Sequence, residues 1–141
     1  MTTPVELVGP DGKGRARITE FDQLVVAPIA YSTAEEREMD VVGTAFNFVI
    51  PVHGKSIVIT DIIASANNTV SNTAPADIAV FQADSEVSIV PIKGIVRPQL
   101  VRAENFILTG LNLIVPPGVW INATTTDSDI LLTIMFYRVP V

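Results

Sequence analysis

The sequence contains no cysteine and a single histidine, and both scarcities remove chemistry before any motif is sought. Without cysteine there is neither a disulfide nor a thiolate metal site. Lys and Arg total nine against fifteen Asp and Glu, a net charge of −6. A chain so poor in base lacks the footprint that phosphate backbones require, so nucleic acid is not expected as a direct partner. Charged residues make up 17% of the chain, where an average soluble domain carries about 25%. Long hydrophobic runs are missing as well. No stretch approaches the ~18 apolar residues of a spanning helix, so a membrane is not expected as a partner either. The opening MTTPVELVGP has no basic segment followed by an apolar core and is not expected to be a signal peptide.

What is present is grease. Hydrophobic residues make up 48% of 141, and the mean hydropathy is +0.43. That length suits one domain with one core. The apolar surplus is expected to be buried against other protein subunits.

The pattern is mostly period two, which alternates side chains across a strand. Phe46, Phe48 and Ile50 share one predicted strand face. Segment 56–64 (SIVITDIIA) is rich in Ile and Val, whose stiff branched side chains suit a pleated surface. Segments 77–83, 88–92, 106–115, 119–124 and 130–139 read the same way. Segment 24–31 is a further candidate, with Pro28 suggesting an edge or bulge. Turn residues separate these runs: Pro51 with Gly54, 67–75, 84–86, Pro116-Pro117-Gly118 and 124–129. Many short strands divided by turns predict an all-β fold, an antiparallel β-sandwich over residues 24–141.

One short helix competes with this pattern. Ser32-Thr33-Ala34-Glu35 fits a capping box, with a helix ending before Val41; the other reading is a polar connection with helical propensity. Residues 1–23 carry a turn-rich cluster, Gly9-Pro10-Asp11-Gly12-Lys13-Gly14, and read as a hairpin or an arm. Extended, they would reach about 75 Å at roughly 3.3 Å per residue.

The closing run raises a question of coverage. Ile130, Leu132, Ile134 and Phe136 lie on one predicted face, and Leu131, Thr133, Met135, Tyr137 and Val139 on the other. An antiparallel sandwich strand normally keeps one face wet. Here a neighbouring subunit is expected over the second face, the alternative being another segment of the same chain, such as the arm. Leu131, Met135, Tyr137 and Val139 are the expected subunit contacts, with Trp120, which alternates with Val119 and Ile121 on its own predicted strand. Trp120 and Tyr31 could instead stack on sugar rings, but packing is preferred for Trp120.

Catalytic patterns are weak throughout. His53 sits on a predicted turn with no nucleophile and orienter in context. Gly54-Lys55-Ser56 imitates a phosphate loop, yet Val49 stands where its first glycine belongs and a strand follows it. Gly12-Lys13-Gly14 lacks the third glycine of a dinucleotide fingerprint. Asp127-Ser128-Asp129 could offer oxygens to Ca²⁺ but reads better as a turn. Asp61, Asp77, Asp84, Glu86 and Glu104 cannot be paired by spacing into a hydrolytic couple. Asn67-Asn68-Thr69 and Asn122-Ala123-Thr124 match the glycosylation acceptor pattern, which is short enough to arise by chance. No catalytic residue, cofactor or metal is therefore expected, and the chain is not expected to be an enzyme.

Three segments carry a resemblance: FDQLVVAPIAYS (21–32), TAFNFVIPVHGKSIVITDI (44–62) and LNLIVPPGVWINATTTDSDILLTIMFYRV (111–139). Together they resemble small jelly-roll virion proteins of tailed bacteriophages. Many of those have a glycine-lysine turn before an Ile/Val/Thr strand, a Pro-Pro-Gly turn near the C-terminus and a closing strand ending in an aromatic and Arg. The resemblance spans residues 15–139, and its motifs are structural. The family usually ends that strand with a Gly-Tyr pair, where Phe136-Tyr137 stands here. The resemblance implies a jelly roll, often trimeric, in a virion structural role: a capsid decoration (cement) protein, a head-fibre or knob base, or a tail-associated module. The expected partners are copies of itself and the major capsid protein or other virion proteins. The expected location is the capsid surface, after synthesis in the host cytoplasm. Capsid anchoring is expected from residues 1–23, with Arg15 and Arg17 pairing to acidic neighbours. The rivals are a receptor- or carbohydrate-binding module on a tail or fibre, and a β-fold enzyme of cupin type, which would usually need several histidines.

Overall fold

The computed structural model describes residues 33–141 and, as backbone, two short strands before them, β1 (Arg17–Ile18) and β2 (Leu24–Val25). These two pair antiparallel with each other. The chain divides into two units, Met1–Ala30 and Tyr31–Val141. Leu24–Val25 thus pairs with Arg17–Ile18, where it was expected to open the sandwich. The remaining expectations for residues 1–32, including the arm and the anchoring role of the Arg15 and Arg17 side chains, lie outside the described residues.

The second unit is an all-β sandwich of two antiparallel sheets. One sheet runs β3 (Thr33–Met39), β12 (Ile130–Pro140), β5 (Lys55–Ala66), with β9 (Asn105–Leu108) and β10 (Leu113–Val115) both paired to β5. The other runs β4 (Phe46–Val49), β11 (Trp120–Thr125), β6 (Ala76–Ala83), with β7 (Lys93–Val96) and β8 (Gln99–Leu100) both paired to β6. With each split edge taken as one position, the first position pairs with the last, the second with the seventh, the third with the sixth and the fourth with the fifth. Gly118, at a φ of 79°, supplies the left-handed turn that the Pro-Pro-Gly motif predicts before β11.

The core forms where the inward residues of the sheets meet. Ile130, Leu132, Ile134 and Phe136 of β12 pack with Ile57, Ile59 and Ile62 of β5 and with Ile78, Val80 and Ile121 across the sandwich. Each fully buried aliphatic side chain contributes about 1.5–3 kcal/mol. Among the described residues the register shifts three times, each time at a bulge, in which two residues of one strand oppose one of its neighbour; two of these shape the core. On β5, Met135 faces Asp61 and Phe136 faces Ile59, so Thr60 is the extra residue; its hydroxyl donates to the Met135 carbonyl at 3.2 Å. On β4, Ile121 faces Val49 and Asn122 faces Asn47. Phe48 and Val49 consequently both enter the core, while Ile50, expected on the face of Phe46 and Phe48, stands 55% exposed.

No helix occurs among the described residues. The capping-box segment from Thr33 onward is strand β3, paired residue for residue with β12 from Phe136↔Thr33 to Ile130↔Met39. Seven residues of ladder outweigh a weak local preference, because a short helix carries an unfavourable nucleus. β3 is an edge strand bearing Glu35, Glu36, Arg37 and Glu38, and charge on an edge discourages unwanted strand pairing.

Candidate functional site

The outward side of β11 and β6 is set by alternation. Ile121 and Ala123 point into the core, which leaves Trp120, Asn122 and Thr124 outward, opposite Ala83, Phe81 and Ala79. An outward phenylalanine would ordinarily be wet. Phe81 is 1% exposed and Asn122 0%; the segment 84–92 lies against Asn122, and its Pro91 shares a hollow with Phe81. The Asn122 Nδ2 donates to three carbonyls of that segment, Ser85 at 3.0 Å, Glu86 at 3.2 Å and Ser88 at 3.0 Å. Ser88 closes its own turn, its hydroxyl donating to the Val90 carbonyl and accepting from the Val90 amide, both at 3.2 Å. The Ile92 amide then returns to the Gln82 carbonyl at 2.9 Å.

With its backbone held on the inside, this loop turns its side chains outward. Val87 is 78% exposed, Val90 70%, Ile92 60% and Ile89 56%. No charged residue lies between Glu86 and Lys93. A strand was expected over 88–92, and the loop corrects that reading: Asn122 takes the Ser88 carbonyl, the Ser88 hydroxyl takes the Val90 amide and carbonyl, and Pro91 has no amide to give a ladder. Beside the loop is a shallow hollow of about 330 Å³, lined by Phe81, Pro91, Gly94, Ile95 and Val96 among others.

The residues singled out as subunit contacts fall on two surfaces. Leu131, Met135, Tyr137 and Val139 share the outward face of β12, Leu131 at 40% exposed and the other three half-buried. Trp120, half-buried, belongs to the other sheet. Neighbours on the outward face of the first sheet include Ile63, Ile107 and Ile114, the last two 64% and 63% exposed. A hollow of about 360 Å³ at one end is lined by Glu38, Ser65, Ala66, Asn67, Asp129 and Leu131.

The polar residues weighed for chemistry serve local structure. His53 is exposed on the turn between β4 and β5. Asp129 accepts from the Thr69 hydroxyl at 2.6 Å, and Thr125 Oγ1 donates to the Asp127 carbonyl at 2.7 Å, which makes 125–129 a bonded turn. Asp61 accepts from the Gly110 amide at 3.2 Å and Glu104 from the Val101 amide at 2.8 Å. The buried amide of Asn122, the nitrogen a glycan would occupy, is already committed to the loop. Among the described residues, no cluster of three or more His, Asp or Glu is placed to hold a metal.

Asp77 is held by a guanidinium. The Arg97 Nε donates to both its oxygens, at 2.9 and 3.0 Å, and Nη2 joins them. Those hydrogen bonds, aided by the guanidinium charge and opposed by partial burial, hold the carboxyl below its ordinary pKa. A carboxyl whose pKa is depressed on folding stabilises the fold above its unfolded pKa and loses that contribution as pH falls through the folded one. Arg97→Gln is therefore expected to lower the urea midpoint modestly at neutral pH. The gap from wild type should close in acid, below the ordinary carboxylate pKa of about 3.9. A gap that stays constant with pH would show that the pair does not act through charge.

Sequence reading missed the loop as a surface because no single residue in it is unusual. The available signal was the uncharged stretch Val87–Ile92 between an acid and a base. Comparison of the chain with family models, curated proteins and solved structures gave no match.

Proposed function

We propose that this chain is a non-enzymatic structural protein of a phage virion, a jelly-roll decoration protein that associates with its own copies and binds the major capsid shell. The observation that carries this is the placement of its apolar surplus. Among the described residues, twelve large aliphatic side chains stand between 39% and 82% exposed, and four of them crowd one hydrogen-bonded loop. Such patches mark surfaces that meet other protein. The first-with-last strand pairing supports the jelly-roll reading, since that fold is an eight-position sandwich of two Greek keys. The Gly-Lys turn, the Pro-Pro-Gly turn and the aromatic-Arg end of β12 support the virion family. In that family the oligomer is often a trimer.

A glycan-binding module would present rings beside a hollow. Every aromatic residue among those described lies within a strand; none lines the hollow near Asp129, and Phe81, which lines the other, is 1% exposed and presents no open ring face. That favours assembly over sugar recognition.

Light scattering tests the reading. The wild type is expected as a multiple of its protomer mass, and Leu131→Asp or Met135→Asp should shift it towards the protomer, because assembly would bury an unpaired charge. A wild type that stays monomeric at high concentration would overturn self-association. An oligomer untouched by both substitutions would remove the β12 face from the interface.

A further inference from the structure

We infer that the segment from Glu86 to Lys93 is a two-fold contact between copies of this chain. The inference rests on self-association as proposed above and goes beyond it, because a two-fold contact cannot close a trimer. It joins subunits, or whole oligomers, in pairs.

Three observations converge on a second copy as the occupant. The first is preorganisation. Asn122 pins three of the loop's carbonyls, Ser88 closes its tip and Ile92 is bonded back to β6. Little ordering entropy remains to oppose binding. The second is shape. Protruding aliphatic side chains, Val87 and Val90 foremost, stand next to a mostly apolar hollow whose wall includes Pro91, Gly94 and Ile95; the one charged lining residue, Arg97, is engaged by Asp77. A two-fold interface requires one patch to complement itself, and a knob beside a socket meets that requirement.

The third observation is charge. The segment reads Glu-Val-Ser-Ile-Val-Pro-Ile-Lys, an acid at one end, a base at the other and no charge between. Both end residues are exposed. Apposed antiparallel, Glu86 of one copy meets Lys93 of the partner subunit at each edge, with the aliphatic residues between. Apposed parallel, like charges would meet at both edges. The sequence therefore fixes direction as well as contact, since rim charges chiefly set orientation and exclude wrong pairings.

The patch is small. A stable interface covers roughly 800 Å² per partner, more than four partly exposed aliphatic side chains can supply. The pairing is therefore weak in isolation and gains strength from repetition on an ordered surface.

Sedimentation velocity over a concentration series tests this on the whole chain. The wild-type mass is expected to rise reversibly to twice that of its smallest species. Val90→Asp should weaken that doubling at least about tenfold. Glu86→Lys alone and Lys93→Glu alone should each weaken it, and an equimolar mixture of those two variants should restore it. The loss in each variant alone fixes the direction. Antiparallel apposition turns two opposite-charge pairs into two like-charge pairs, whereas parallel apposition holds two like-charge pairs with or without either substitution. Single variants that double like wild type would overturn the antiparallel arrangement. A wild type that is monomeric throughout overturns both this contact and self-association. An oligomer whose mass does not double with concentration, or that doubles equally with Val90→Asp, overturns the contact and leaves self-association standing. A mixture no better than its components overturns the antiparallel arrangement. Val87→Asp provides a second probe of the knob should Val90→Asp disturb folding, which the melting curve of each variant reports.

Discussion

Asn122→Asp is expected to destabilise the fold by about 3 kcal/mol or more at neutral pH, the scale set by burying an unpaired charge. The residue is 0% exposed. Its amide nitrogen is the shared donor to the carbonyls of Ser85, Glu86 and Ser88. Aspartate would place a second acceptor against three acceptors. Relief is not at hand on the amide's other side, where Asn122 Oδ1 and the Oδ1 of its cross-strand neighbour Asn47 are both buried without a donor. The strain has two outlets. The carboxyl can take up a proton, so the penalty should shrink as pH falls. Alternatively the loop can lift away and expose Phe81. Urea unfolding at two pH values, with hydrogen exchange on residues 84–92, separates the outlets. A midpoint equal to wild type would show that the amide is not what holds the loop.

Phe136→Ala is expected to cost about 3–5 kcal/mol, the usual range for removing a buried ring and leaving its cavity. Phe136 is 2% exposed in a strand paired on both sides. Its loss also removes the ring beneath Arg138, whose guanidinium carbon lies 5.1 Å from the centroid. An outward position of the same strand offers the control. Leu131→Ala, at a residue 40% exposed, should cost well under half as much in a dilute, dissociated sample. Equal losses in chemical denaturation would contradict the division of β12 into an inner and an outer face.

That division was legible in the sequence. Alternation over 130–136 sorted four side chains inward, and all four are buried. The strands near 77–83 and 119–124 and the turns at His53 and Gly118 were legible for similar local reasons. The failures share a different cause. A bulge displaces the period by one residue and is decided by the neighbouring strand, so Ile50, read onto one face with Phe46 and Phe48, is exposed while Phe48 is buried. Thr33–Met39 looks helical to its own side chains and becomes a strand only because β12 offers a seven-residue ladder. Segment 88–92 alternates like a strand but gives its Ser88 carbonyl to an asparagine more than thirty residues away and its Val90 carbonyl to the Ser88 hydroxyl. The apolar loop was thus hidden from sequence reading by one long-range side-chain contact.

The position of β12 has a kinetic corollary. It lies between β5 and β3, yet every strand it touches precedes it in the chain. Until it emerges from the ribosome, both neighbours offer open ladders and the core lacks Ile130, Leu132, Ile134 and Phe136. Folds governed by such distant pairings form in milliseconds to seconds, and a nascent chain stalled before Ile130 would be prone to clump in the meantime. The charges on β3 would then guard one of the two waiting edges, while β5, rich in isoleucine, would need shelter from a chaperone.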